Sequence, residues 1–329
     1  MSTEYRPLRL MDTFRNLFYT PIYVAVAGGF FYAEGLNVEF SMVPEGQPTM
    51  DMLRSGAVDI AQTGISRSLM DLDEGKEDAP LHIAEINQRD GFFLLSRIPV
   101  ENWAWKELEG STLIPIGFTP VPWNPLRTVL KNNGVDLDAI NLIGGLSAAE
   151  AIYRFRNGQA DYLHILHPFA QTLIEGGIGH MAASMGPELG YICYSSFAVT
   201  PSYIDDNPET VQAFVTGFHK ALNWVAESDP PAIAERVSPF FPDISPESLA
   251  SGIGQYKIQE TWPRDALIGE DGYDSMRDIL IDGVPLDEAR FISVSGVAMS
   301  PHDIRTKIVY PNWSDPRVIY GFFRGDIGS

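Results

Sequence analysis

The chain contains a single cysteine, Cys193, which excludes an internal disulfide. Its setting, Tyr191-Ile192-Cys193-Tyr194-Ser195-Ser196, reads as a buried strand, so the thiol is expected to pack rather than react. Basic residues are scarce: 23 Lys and Arg face 43 Asp and Glu, a net charge of −20. Nucleic-acid binding, which needs a basic face, is thereby excluded. So is docking on anionic lipid. The longest mostly apolar run near the start, residues 22–32, is too short to span a bilayer, and no membrane insertion is expected. The first residues lack a basic segment followed by an apolar core of roughly 7–15 residues. They read as the start of a cytoplasmic protein, or of a periplasmic one whose leader has been removed. There is no GxSxG, HExxH, P-loop or dinucleotide fingerprint. No cofactor and no metal are expected.

What is present is a repeated α/β pattern. At 329 residues the chain has room for two domains or one large one, and 45% of it is apolar, enough for real cores. Residues 13–64 are the most informative. A loop bearing Arg15, Asn16, Phe18 and Tyr19 follows a short strand. A Pro-initiated helix ends at Glu34-Gly35, and a second strand is predicted over 36–43. A further helix runs into Gly56, and a strand over 58–61 stops at Gln62-Thr63-Gly64. Two strand ends thus bring polar loops to one edge of a parallel sheet, where α/β proteins bind small ligands.

Residues 52–60 are echoed by residues 153–162. In both, a helix ends in Arg-(Ser/Asn)-Gly, and an Asp (Asp59, Asp161) follows at the start of a strand. Gly56 and Gly158 fit the position just past a helix end, where a positive φ closes it. Two α/β lobes of related topology are the simplest account. In the second lobe, strands are predicted over 111–117, 139–143 and 160–165. Asn124 reads as an N-cap with Pro125 in the first turn. Ser147 and Glu150 form a capping box for a helix ending at Gly158, and a further helix covers 168–175.

A β run over 191–200 returns the chain to the first lobe. The longest helix opens at Asn207-Pro208-Glu209 and carries Val211, Phe214, Val215, Phe218, Leu222 and Val225 on one face. Helices over 231–238, 246–257 and 273–282 follow. The expected division is residues 1–97 plus 191–300 in lobe one, 98–190 in lobe two, and 301–329 as a C-terminal extension. Strands crossing near 94–99 and 191–198 make a paired hinge. The extension is rich in Pro, Gly and aromatics. It reads as wrapping a lobe, with contact to a second copy in a homo-oligomer as the alternative.

Several residues are candidates for chemistry. Phe18 and Tyr19 offer rings for a flat ligand, and Asn16 offers hydrogen bonds. Gln62 and Thr63 end a strand at the same edge. Thr119 and Trp123 precede or open a helix whose N-terminus favours anions. Glu85 and Gln88, with His82 and Arg89, surround the end of the fourth strand. Glu85 and Arg89 are expected either to hold a ligand's charged groups or to pair with each other. His164 and His167 are three apart, so on one strand they point to opposite faces. A packed structural role suits the pair better than a metal site, with His164 and Glu85 the candidates if there is catalysis.

These pieces together resemble a known family. They are Asn16, Pro21-x-Tyr23-x-Ala25, Gly29-Phe30-Phe31, Glu34-Gly35-Leu36-x-Val38 and Leu53-x-Ser55-Gly56-x-Val58-Asp59-Ile60, then Trp105 to Gly110, Gly134-Val135 and Asn157 to Asp161. The family is the type II periplasmic-binding-protein-like group of alkanesulfonate-, nitrate- and aminopyrimidine-binding proteins and thiamine-pyrimidine synthases, and the resemblance covers roughly residues 8–295. It implies an α/β clamshell of two lobes, each a mostly parallel sheet flanked by helices, with a small-molecule ligand in the cleft. A substrate-binding protein of an ABC transporter, closing over a planar or anionic molecule, is the leading expectation, and it admits a transporter permease as partner. The alternative is a cytoplasmic enzyme on the same scaffold, an aromatic decarboxylase or desulfinase type of lyase or a pyrimidine-synthase relative. The chain departs from that synthase in lacking its cysteine-rich motif. A partner-binding module using the aromatic tail is the third reading.

Overall fold

The computed structural model of the protein describes residues 5–44, 46–73, 76, 78–115, 120–282, 309–310 and 321–322. Ten strands build its two main sheets: β1 (Arg6–Asp12), β2 (Leu36–Met42), β3 (Ile60–Thr63), β4 (Leu81–Asn87), β5 (Phe93–Ser96), β6 (Thr112–Pro115), β7 (Asn141–Leu142), β8 (Tyr162–Ile165), β9 (His180–Ser184) and β10 (Ser195–Val199). The first sheet has the order β2-β1-β3-β10-β4 and the second β7-β6-β8-β5-β9. β1 runs parallel to β2 and β3, and β6 runs parallel to β7 and β8. In each sheet the fourth strand (β10, β5) is antiparallel to both its neighbours. Each of these antiparallel strands is the first that the chain lays down after changing lobes. The molecule is an α/β clamshell of two such lobes.

The sequence echo has a structural counterpart. Asp59 accepts from the backbone N–H of Arg9 at 2.7 Å, and its own N–H donates to the Arg9 carbonyl at 3.0 Å. Asp161 does the same with Thr112, at 2.8 and 2.9 Å. Both aspartates pin the incoming strand to the strand second in the order of its own sheet, β1 or β6. Gly56 and Gly158 have positive φ, +68° and +74°, as their place past a helix end requires. The Ser147–Glu150 capping box is complete.

β3, β4 and β10 are buried along their whole length, although they carry polar residues such as Gln62, His82, Glu85 and Ser196 among the apolar ones. Pro208–Glu227 is the long helix, and Val211, Phe214, Val215, Phe218, Leu222 and Val225 are all buried along it. Phe214 stacks on Phe31 at 4.7 Å and meets Phe197 edge-on at 4.8 Å. One apolar cluster includes these residues together with Trp105, Leu113, Trp123 and Leu130 of the second lobe, so the core runs across the lobe boundary. A smaller one, with Leu95, Ile114, Phe155 and Leu163, packs the other face of the second sheet.

Three expectations need correction. Asn124 does not cap its helix: the helix is Pro120–Asn132, and Asn124 lies fully buried inside it. Pro125 therefore sits within the helix, in its second turn, where its missing N–H removes one intrahelical hydrogen bond. β5, expected to span the lobes, is wholly a strand of the second sheet, and β10 is wholly in the first. The crossings are the irregular residues 88–92 and the stretch 185–194, which includes the short helix Met185–Leu189. Most of the C-terminal extension, and with it both the expected wrapping of a lobe and the alternative contact with a second copy, lies outside the described residues. Within it, Val309–Tyr310 pairs antiparallel with Gly321–Phe322.

Candidate ligand-binding cleft

Both crossings join the same two sheet edges. β4 ends at Asn87, beside Ser195 at the start of β10. After the first crossing β5 begins at Phe93, opposite Ile165 at the end of β8 and Ser184 at the end of β9. The chain goes back from Ser184 to Ser195. The carboxyl ends of β1, β3 and β4 therefore face those of β6 and β8, the edge-to-edge arrangement in which α/β proteins hold ligands.

A buried polar cluster occupies the first-lobe edge. Gln62, the third residue of β3, accepts through Oε1 from the Thr13 backbone N–H at 3.0 Å and also from the Thr13 hydroxyl. Ser195 donates to the Tyr19 hydroxyl at 3.5 Å. The Tyr19 ring is 4% exposed, and burial pushes its phenol up to about 12, so it keeps its proton. Asp12 ends β1 beneath this cluster, with its pKa raised by burial against the pull of Arg15. Arg15 is already engaged: its Nε lies 3.4 Å from Asp12, and its guanidinium sits over the rings of Tyr23, Phe40 and Phe240. The cluster thus presents neutral hydroxyl and amide groups. Phe14, exposed at the same loop, meets Tyr19 edge-on at 5.6 Å.

The crossings add further buried polar groups. Asp90 on the first accepts from the Phe92 N–H at 2.7 Å through Oδ1, while Oδ2 is buried without a partner. Burial raises its pKa to about 7. Tyr194 on the second has a buried, unpartnered hydroxyl and an edge-on contact with Phe18 at 5.4 Å. Phe92 stacks on His164 of β8 at 4.4 Å.

The lobes meet closely. The N–H of Leu17 donates to the His167 carbonyl at 3.2 Å, and the N–H of His167 donates to the Tyr256 hydroxyl at 3.2 Å. Gly252, on the helix Pro246–Ile258, makes room for this. A Cβ there would lie 2.9 Å from Leu17 Cδ1 and 3.2 Å from His167 Cβ. On the flanks, Ser248 donates to Glu175, and Arg127 donates to the Asp282 carbonyl at 2.8 Å.

Comparison with known proteins fixes the lineage. The family model described as NMT1/THI5 like matches residues 16–232. The chain belongs to the NMT1/THI5-like family. It is 30% identical over 274 residues to the Bacillus subtilis (strain 168) protein YtlA, described as a candidate binding protein, with 83% of this chain and 82% of the relative covered. Among solved structures it is similar to the periplasmic aliphatic sulphonate binding protein SsuA of Escherichia coli, with a TM-score of 0.70, 15% identity, and 92% and 97% of the two chains covered. It is also similar to the alkanesulfonate-binding protein SsuA of Xanthomonas axonopodis pv. citri bound to MOPS, with a TM-score of 0.65, 17% identity, and 84% and 92% covered. At these identities the two structures establish the fold.

The cleft of this NMT1/THI5-like protein gathers some of the residues singled out in the sequence. Tyr19, Gln62 and Thr63 stand at the first-lobe edge. Asn16 is there too, but its side chain serves the loop: Oδ1 accepts from the Phe18 N–H at 2.8 Å and Nδ2 donates to the Phe14 carbonyl at 3.3 Å. Phe18 is buried against Tyr194, Tyr256 and Tyr19, so its ring is packing. Trp123 is buried in the main core. Thr119 lies outside the described residues.

Others are elsewhere. His82 is held between the hydroxyls of Ser68 and Ser196, each at 2.8 Å, and burial lowers its pKa to about 3. Glu85 and Arg89 do not pair: Arg89 reaches Glu260 at 3.3 Å, and Glu85 bonds the Cys193 thiol. Gln88 donates to the Glu260 carbonyl at 2.9 Å. Glu85 and Gln88 line a separate cavity within the first lobe. β8 ends at Ile165, so His164 and His167 are not on one strand, and both are buried. Thr13, Ser195, Asp90 and Tyr194 carry little signal in the sequence, being single polar residues beside apolar runs. Thr13, directly after the first strand, carried the one usable signal.

Proposed function

We propose that this protein binds a small molecule between its two lobes and presents it to an ABC transporter. The observation that carries this is the polar cluster of Thr13, Tyr19, Gln62 and Ser195, set at the sheet edge that the second lobe covers. Its neutral donors and acceptors, with Phe14 beside them, suit a planar molecule with hydrogen-bonding groups along its rim. An anion is the second class to test. The fold neighbours described as periplasmic and sulphonate-binding support a location outside the cytoplasm and a permease as partner. Of the groups behind the lyase alternative, His82 is held between Ser68 and Ser196 and Glu85 lines a separate cavity, which favours the binding reading over the lyase.

The test is a calorimetric and thermal-shift screen with aminopyrimidines, sulfonates and aromatic carboxylates. A ligand at a hundredfold excess over its Kd stabilises the fold by about 2.7 kcal/mol. A ligand whose binding is lost in Gln62→Ala places the site at this cluster. If no class raises the melting temperature, the reading fails.

A further inference from the structure

On the first lobe, beside the two crossings, lies a cavity of about 690 Å³. Helices Pro208–Glu227, Pro246–Ile258 and Glu270–Asp282 border it, and Glu85 of β4 lies on its wall. Tyr191, Val225 and Trp262 give it an apolar, aromatic lining. The charges around it are unbalanced. Glu85, Glu260, Asp265, Glu270 and Asp271 face it against Lys257 and Arg264. Lys257 is taken up by backbone: its Nζ donates to the carbonyls of Val225 at 2.8 Å and Ala226 at 3.1 Å.

Glu85 is the telling residue. It is 5% exposed, and the Cys193 thiol, a weak donor, bonds its side chain. A carboxylate has room for about four hydrogen bonds. Burial keeps such a carboxyl protonated, and a cation brought beside it lets it ionise. The rim already shows the matching geometry, since the Arg89 guanidinium lies over the Tyr191 ring at 4.9 Å while pairing with Glu260. An ammonium set among carboxylates and aromatic rings gains both ion pairing and cation–π attraction.

We propose that this cavity is a second binding site, for a small molecule that carries a primary ammonium on an apolar or aromatic body. The ammonium pairs with Glu85 and Asp265, and the body lies against Trp262 and Val225. Burial raises the pKa of Glu85, and an incoming cation supplies the charge that makes its ionised form favourable. This proposal does not depend on the cleft reading.

The experiment is titration calorimetry of the full chain with phenethylamine, 2-phenylethanol and phenylacetate, which share one body and differ in charge. Phenethylamine is expected to bind at least tenfold more tightly than the alcohol, and the acid not at all. Glu85→Gln is expected to weaken the amine at least tenfold. Ala226→Trp, which fills the cavity from its lining, is expected to abolish binding in a variant that still melts cooperatively. Gln62→Ala, in the cleft cluster, is expected to leave amine binding unchanged. Equal binding of amine and alcohol, an amine affinity unmoved by both cavity variants, or its loss in Gln62→Ala would each overturn the proposal. So would the absence of any amine binding.

Discussion

The backbone N–H of Leu17 donates to the carbonyl of His167 at 3.2 Å, joining the loop after the first strand of one lobe to the loop after β8 of the other. Both groups are backbone, so the bond depends on where the two loops run and not on their side chains. The bond exists because Gly252 leaves space for both loops against one helix.

Gly252→Val is therefore expected to wedge the lobes apart. Overpacking at such a contact costs about 1–3 kcal/mol. Small-angle scattering should show a larger radius of gyration, and urea unfolding a lower midpoint. An unchanged radius with unchanged ligand affinity would mean that this contact does not hold the lobes together.

Gln62→Ala removes the acceptor for both the Thr13 N–H and its hydroxyl. Leaving buried donors unpaired costs about 1–3 kcal/mol. A stability loss in that range, with ligand affinity at least tenfold weaker, is the expected pair of results from denaturation and calorimetry. Full affinity in the variant would move the ligand away from β3.

Phe18 and Tyr19 should separate by function. Phe18→Ala empties a packed site among Tyr194, Tyr256 and Tyr19 and is expected to cost about 3–5 kcal/mol. Tyr19→Phe deletes only a hydroxyl, so its effect should appear in ligand affinity more than in melting temperature. The reverse order would assign the ligand contact to the wrong ring.

Asp90 makes a pH-dependent contribution with a definite sign. Its folded pKa, about 7, lies above the ordinary aspartate value of 3.8 because of burial. Between those values the folded state holds a proton that the unfolded state releases, so this term weakens the fold as pH rises. Asp90→Asn keeps an acceptor for the Phe92 N–H and removes the term. The variant's melting temperature, relative to the parent, should climb between about pH 4 and pH 7. A difference that stays flat over this range would show that Asp90 is solvated in the folded protein. His82, lowered to about 3, acts oppositely. Its neutral, doubly bonded ring contributes stability that is lost as pH falls from about 6.5 toward 3, so a His82→Gln control should shift the acid side instead.

Much of the architecture was legible because local rules carried it. The Asp59 and Asp161 echo, the two Gly positions past helix ends and the Ser147–Glu150 box are short-range signals, and each keeps its meaning in three dimensions. The cleft was legible only at its first edge. Tyr19 and Gln62 come from strand ends that the periodicity marks. Their partners Thr13 and Ser195 lie 49 and 176 residues away in the chain, and no local pattern links them.

Most strand positions (β9 excepted), the face of the long helix, the acidic charge and the paired lobes follow from the chain's own periodicity and composition, since each depends on neighbours within a few turns. Tertiary contact decided the rest. Pairing of β5 with β8 and β9, rather than with the strand before it, moved the lobe boundary. Alternation along the buried β4 placed His82 between two serines and Glu85 beside a cavity. Which face of a strand looks toward a neighbouring lobe depends on packing partners far away in sequence. Residue types and spacing alone do not contain that information.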